Sequence, residues 1–371
     1  MKNAILKLDF WFIISSTANL RNVGRFYKQE IMRTLIIGLG ALGGVIAARL
    51  LSSGADVSLA ARDANSCERL KSSGLLLPLE GIKAEVKQIG TIKDYEGQSF
   101  DLIILATKAE EAMRTIGVVG GLLGEGGILI PLQNGSVYQS IADQLGADKV
   151  IGCVSHIGAT MVEPGIFEQR NSGHLLIGEL GGGISDRIVA VRDWLSPPVA
   201  VQVTGNFLGA SWGKLLLNCS VTTIGAIVGK TMREYCETSQ GKELFRKAYD
   251  EALLVARTSG VTPEASAFDP VPPGWTDRSE AGSGYDEWLE GIIKGYGDLK
   301  PSMLQDFERG RTTEIAFING FVRDLGKRFG VRTPTNSAIV DMVRLIESGS
   351  RKPGSENIEA ISRLSSPCHG R

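Results

Sequence analysis

The segment 32–50, MRTLIIGLGALGGVIAARL, most constrains what this chain can fold into. A short apolar run, Leu35-Ile36-Ile37, leads directly into Gly38-Leu39-Gly40-Ala41-Leu42-Gly43, and good helix formers fill 45–51. The order is strand, tight glycine turn, helix, the context in which a G-x-G-x-x-G pattern carries meaning. Such a turn aims bare backbone N–H groups and the positive end of a helix at a pyrophosphate. Gly38 is expected to make the turn, Gly40 to let a phosphate approach, and Gly43 to let helix and strand pack closely. Gly38, Leu39, Gly40, Ala41, Leu42 and Gly43 are therefore candidate contacts to a dinucleotide. The plainer alternative is a strand–helix junction that needs small residues.

A chain of 371 residues suits two domains. With a net charge of −1 it offers no broad basic surface, which argues against nucleic acid as a partner. The five cysteines, Cys67, Cys153, Cys219, Cys236 and Cys368, form no CxxC pair, so reduced thiols in the cytoplasm are expected. Three histidines, His156, His174 and His369, give little material for a zinc centre or a histidine triad, and no metal is expected. No uncharged stretch near the N-terminus approaches the roughly 20 apolar residues of a membrane span, so no membrane partner is expected. Residues 1–31 precede the first strand and read as an extension outside the fold; a weak signal peptide is the competing reading.

After the glycine turn, strand and helix alternate. Residues 56–61, 101–107 (DLIILAT) and 127–132 (GILIPL) read as strands, the last two buried and parallel by their continuous apolar runs. Residues 109–119 suit a helix, 150–156 and 175–180 further strands, and 186–195 another helix. The fold class expected over 32–204 is α/β, a Rossmann-type doubly wound sheet with an added sheet portion. From Asn206 the strand-like runs vanish. Residues 207–228, 241–259, 302–329 and 336–348 read as helices, which makes 205–349 a mainly α-helical substrate domain. Residues 267–299, with Pro270, Pro272, Pro273, Trp275 and Trp288, read as a loop-rich excursion: a pinned surface loop or a lid. The polar segment 350–371 reads as a flexible tail.

Several polar residues stand out against this background. Lys214 is the only charged side chain between Asp193 and Lys230, on an otherwise apolar helix. Burying an ammonium is costly unless it is paired or neutralised. Asn218 and Thr222 follow at i+4 and i+8, giving a polar stripe that should line a cavity; a lysine snorkelling from a helix edge is the alternative. Glu314 falls on the apolar face of Phe307, Ile318, Phe321 and Leu325, and wants a cation: Arg311 locally, or Lys214. Ser302 and Gln305 have capping-box spacing, so Ser302 serves either as a cap or as a ligand contact. Asn134, in Leu132-Gln133-Asn134-Gly135 at the end of a strand, sits where open α/β sheets bind ligands, or makes an Asn-Gly turn. Arg62 ends the second strand, where an arginine suits the 2′-phosphate of NADP; Asp63 beside it blurs the case or caps the next helix. Lys108 ends another strand and faces a cofactor or solvent.

Taken together, the chain resembles the ketopantoate reductase (2-dehydropantoate 2-reductase) family over about residues 32–347. The resemblance rests on GLGALGG, the pair Thr107-Lys108, LQNG at 132–135, WGKLLLNC at 212–219 and SMLQDFERGRTTEIAFING at 302–320. It implies an NADPH-binding Rossmann domain, a helical domain and an active site in the cleft between them. It further implies Lys214 as the catalytic lysine and Glu314 as the active-site glutamate. By the same resemblance Asn134 lies near nicotinamide and substrate, Lys108 and Arg62 on the cofactor side, and Asn218 and Ser302 against the substrate, with Thr222 on the same stripe. The implied reaction is reduction of a 2-keto acid to a 2-hydroxy acid, ketopantoate to pantoate in pantothenate biosynthesis being the first candidate. Thr222, Leu299 and Pro301 depart from the family pattern and leave the keto acid open. Alternatives are a relative acting on another branched or larger 2-keto acid, a non-catalytic NADPH-binding regulator, and a methyltransferase. The expected partner is the small-molecule keto acid, and a homodimer is compatible with the same features.

Overall fold

The computed structural model describes residues 32–265, 268–275 and 284–365. The expectations for the 1–31 extension and for Cys368 and His369 lie outside these residues. The chain divides into two compact units: Val137–Phe207 joins the residues before Asn134, and Asn134–Ser136 joins Leu208 onward.

The first unit opens with β1 (Thr34–Ile37), α1 (Ala41–Ser52), β2 (Val57–Ala60) and α2 (Ala64–Ser73). Three short strands follow, β3 (Leu75–Leu77), β4 (Ile82–Ala84) and β5 (Ile89–Gly90). The chain continues through β6 (Phe100–Leu105), α3 (Ala109–Gly121), β7 (Leu123–Pro131) and α4 (Val137–Leu145). It ends in β8 (Ile151–Ser155), β9 (Ala159–Glu163), β10 (Ile166–Gln169), β11 (Leu175–Glu179), α5 (Asp186–Leu195) and β12 (Val201–Thr204). The central sheet has the order β5-β2-β1-β6-β7, with every neighbouring pair parallel. Parallel strands covered on both faces must be apolar throughout, and β1 is buried at all four positions. The strand order reverses beside β1, which puts the glycine turn at the switch point where doubly wound sheets bind ligands. Two smaller sheets complete the unit, β4-β3-β10-β9 and β12-β11-β8. The strands in 75–90 and 159–169 have two to five residues, too few to show a sequence period, so these segments carry no strand signal.

The second unit is helical. Its elements are α6 (Phe207–Leu217), a π-helical turn (Asn218–Thr222), α7 (Thr223–Val228), α8 (Met232–Tyr235) and α9 (Ser239–Thr258). Then come α10 (Tyr285–Tyr296), α11 (Ser302–Glu308), a 3-10 turn (Ile315–Phe317), α12 (Asn319–Phe329), α13 (Pro334–Glu347) and α14 (Glu356–Ser365). Helix α9 is the hub, capped by Thr238, whose hydroxyl accepts from Gly241 N, and packed against the π turn, α12, α13 and α14. Its buried stripe includes Leu244, Phe245, Ala248, Tyr249, Ala252 and Leu253.

Three expectations are corrected here. Residues 302–329 are not one helix. Helix α11 stops at Glu308, followed by Gly310 at φ +59°, a left-handed conformation that ends helices and that glycine tolerates. The excursion 267–299 is not all loop: α10 occupies Tyr285–Tyr296 and buries Leu289, Ile292 and Ile293, while Trp288 Nε1 donates to the Asp269 carbonyl at 2.7 Å. Residues 267 and 276–283 of this region lie outside the described residues. The segment after 350 is not a frayed tail where it is described. Helix α14 buries Asn357, Ile358 and Ile361, and Asn357 Nδ2 donates to the carbonyls of Ile227 and Lys352, both at 2.9 Å.

Candidate active site

In the first unit the glycine turn does what its spacing predicts locally. Gly38 has φ +95°, and a Cβ there would lie 2.7 Å from Thr107 N. A Cβ on Gly43 would fall 2.0 Å from the Gly38 carbonyl oxygen and 2.9 Å from Ala106 Cβ, so helix and strand meet only because it is absent. Gly40 differs: a Cβ there would meet nothing within 4 Å. Gly40 is also the N-cap of α1, where no side chain caps the helix and no acidic residue occupies the first turn. An uncapped helix N-terminus over an open glycine is a cradle for an anion. Two buried polar atoms beside it lack partners among the described residues, Thr107 Oγ1 and Gln133 Oε1. Gln133 Nε2 is engaged, donating to the carbonyls of Leu105 at 3.0 Å and Thr107 at 2.8 Å and so tying the ends of β6 and β7. These features fit a nucleotide pyrophosphate and ribose. Thr107 and Gln133 are not among the ligand contacts the sequence singles out; their only signal there is polarity directly after continuous apolar strands.

Beyond β2, the Asp63 side chain caps α2, accepting from Ser66 N at 2.8 Å. That bond, with the Ser66 hydroxyl and the adjacent Arg62 guanidinium, lowers its carboxyl to about 2. Asp63 is thus occupied as a cap, and Arg62, 3.1 Å from it, keeps 90% of its side chain exposed. Lys108 is exposed at the N-cap position of α3.

In the second unit, residues far apart in sequence converge. Asn134 Nδ2 donates to Glu314 Oε2 at 3.1 Å. The turn around them is locked: Ser136 N donates to the Phe317 carbonyl at 2.9 Å, and Gly135, at φ +73°, would press a Cβ to 2.1 Å from that oxygen. Glu314 does not sit on a helical face. It precedes the 3-10 turn, which Phe317 N closes by donating to the Glu314 carbonyl at 2.9 Å. Arg311 reaches Asp306, 3.8 Å away.

Lys214 is half-buried on α6 between buried neighbours, one turn before the π turn. Asn218, 9% exposed, opens that turn. Its carbonyl accepts the Thr223 N–H, a bond spanning five residues, and the hydroxyls of Thr222 at 3.0 Å and Thr223 at 2.8 Å. The Thr222 hydroxyl thus donates to its own helix. Ser302 is exposed and is the first residue of α11; Pro301 holds the N-cap position, so the Ser302 capping box is not formed. The Pro301 ring lies against α7, where a Cβ on Gly225 would be 2.7 Å away.

The chain matches the family description "Ketopantoate reductase PanE/ApbA" over residues 34–182 and "Ketopantoate reductase PanE/ApbA C terminal" over 206–347. It belongs to the ketopantoate reductase family. Membership makes it an oxidoreductase. A 2-dehydropantoate 2-reductase of Mesorhizobium japonicum is 27% identical over 84% of this chain and 97% of its own length. One from Pyrococcus horikoshii is 28% identical over 85% and 98%. Among solved structures, D-mandelate dehydrogenase with NADH and anilino(oxo)acetate has the same fold, with TM-score 0.73, 23% identity and coverage of 86% and 99%. No described helix of this ketopantoate reductase family member is long and apolar enough to cross a membrane.

Proposed function

We propose that this reductase uses NADPH to reduce a 2-keto acid to a 2-hydroxy acid, ketopantoate to pantoate being the first reaction to test, in the cytoplasm. The observation that carries the reading is the Asn134–Glu314 hydrogen bond, which ties a strand-end asparagine to a carboxylate 180 residues away. The open Gly40 and the uncapped α1 hold the pyrophosphate, with Thr107 and Gln133 supplying polar contacts. Arg62 pairs with the 2′-phosphate, which its exposed guanidinium can reach while Asp63 is held as a cap. NADPH, when bound, supplies the hydride. Lys214 polarises the keto oxygen and gives its proton to the oxygen as it becomes a hydroxyl, then regains one from solvent. Glu314, oriented by Asn134, positions Lys214 or the substrate hydroxyl. Asn218 contacts the substrate.

A second reading is a different branched or larger 2-keto acid. Thr222 favours it, because a hydroxyl bonded to the Asn218 carbonyl offers the substrate one contact fewer. One assay series addresses both. NADPH oxidation is followed with ketopantoate and a panel of 2-keto acids, in the native enzyme and in Lys214→Ala. Ketopantoate should lead in kcat/KM, and Lys214→Ala should keep NADPH binding while losing about 10²–10⁴-fold in kcat, the worth of a general acid. Turnover by Lys214→Ala within a few-fold of native would end the assignment of Lys214. A tenfold preference for another acid would replace ketopantoate as substrate.

A further inference from the structure

Asn319 opens α12 and is fully buried, five residues after Glu314. Its Nδ2 donates twice, to the Cys219 carbonyl inside the π turn at 3.0 Å and to Asn336 Oδ1 at 2.9 Å. Asn336, fully buried in the first turn of α13, donates in turn to the Ala248 carbonyl at 3.0 Å and to Glu251 Oε2 at 2.9 Å. The Glu251 carboxylate, on α9, also accepts the backbone N–H groups of Thr335 at 2.8 Å and Asn336 at 2.9 Å. It thereby caps the positive end of α13.

The direction of this chain is fixed from one end. A backbone carbonyl only accepts, and Asn336 reaches that of Ala248 beside Glu251. Asn336 must therefore turn its NH2 toward Glu251, which leaves its oxygen facing Asn319. Asn319 must answer with its own NH2, and the second hydrogen of that group meets the Cys219 carbonyl. A π turn takes carbonyls off the regular α-helical ladder, so its shape depends on the donors they find. Here Asn319 serves Cys219 while Tyr235 OH serves Ser220 at 2.9 Å. Asn319 Oδ1 meanwhile has no partner among the described residues.

We propose that Asn319 is a positioning residue for the reduction, clamping the π turn that follows Lys214 to the segment that carries Glu314, with Glu251 orienting it through Asn336. The inference rests on the reductase reading above, in which Lys214 and Glu314 work together. One amide spans the two segments: Cys219 adjoins Asn218, and only Ile318 separates Asn319 from the 3-10 turn that Glu314 precedes.

The test measures kcat, KM for the keto acid, NADPH affinity and melting temperature in four variants of the full chain. Asn319→Asp keeps the size and removes the donor. Glu251→Gln keeps the shape and removes one of the two acceptor oxygens. Ile292→Ala, in the core of α10, serves as a stability control, and Lys214→Ala as a control for the reading itself. Asn319→Asp should lower kcat by about 10–100-fold, the cost of sub-ångström to ångström misplacement. Its NADPH affinity should stay within about twofold, since the nucleotide contacts assigned above lie elsewhere. Glu251→Gln should lower kcat by about 3–10-fold, because one acceptor oxygen must then serve the three N–H groups of Thr335 and Asn336 that two oxygens serve in the native chain, and Asn336 shifts. Ile292→Ala should lower the melting temperature while kcat at 25 °C is kept. If Asn319→Asp loses no more activity than Ile292→Ala, the positioning role is overturned. Should Asn319→Asp fail to fold, Glu251→Gln decides: native kcat there overturns the role. Near-native turnover in Lys214→Ala would overturn the parent reading, whereas an inactive Lys214→Ala beside an unimpaired Asn319→Asp overturns the clamp alone.

Discussion

At the scale of single residues, two glycines of one loop should fail differently. Gly40 has φ −74°, where alanine is at ease, and open space where a Cβ would stand. Gly40→Ala should therefore melt within a few degrees of native while losing at least about tenfold in NADPH affinity, because the methyl occupies the phosphate's approach. Gly43→Ala forces a methyl to 2.0 Å from the Gly38 carbonyl oxygen and should cost about 1–3 kcal/mol or more in stability. Thermal melts beside NADPH fluorescence titration separate the two effects. At this scale the sequence is most readable where a residue contradicts its surroundings. Lys214 stands alone in an apolar helix, and Asn134 follows a buried strand. Asn319, Asn336 and Gln133 are not readable, because nothing in a sequence marks which amides are buried. Ser302 misleads for a related reason: capping-box spacing does not show that the preceding proline takes the cap position.

At the scale of elements, long apolar runs and amphipathic periods locate β1, β6, β7, α5 and α9. Breaks are harder. The period from Phe307 to Leu325 persists across a gap, and only Gly310 marks the stop. The π turn leaves no trace, because an inserted residue in an apolar helix changes no pattern. Helix α9 also carries a pH-dependent liability. Burial raises the Asp250 carboxyl to about 6, against the pull of Arg246 at 3.9 Å and a hydrogen bond from Trp275. Its Oδ1 has no partner among the described residues. The folded-state value lies above the unfolded 3.8, so the folded chain holds the proton more tightly. The stability this provides is complete below about pH 4 and lost as pH rises through about 6. Asp250→Asn, neutral throughout, should be more stable than native at pH 7–8 by up to about 3 kcal/mol. The advantage should vanish below about pH 4, as denaturant melts across that range would show. A constant difference at all pH values would exclude the carboxyl as its source.

At the scale of the whole molecule, composition and charge set the broad class, and the order of strands then helices sets the architecture. Binding of NADPH should raise the melting temperature, because a ligand held only by the folded state stabilises it by about 2.7 kcal/mol at a hundred times its Kd. NADH at the same concentration should give a smaller shift if Arg62 reads the 2′-phosphate, and equal shifts would remove Arg62 from that role. The boundary between the units runs between Phe207 and Leu208, yet three earlier residues, Asn134–Ser136, belong to the helical unit. The polypeptide therefore passes from one unit to the other three times. A gene cut at that boundary yields a C-terminal piece without the asparagine that bonds Glu314, and an N-terminal piece carrying it idle. Modular exchange between such enzymes has to transplant this tripeptide along with the helices, or the hybrid loses the bond that joins Asn134 to Glu314.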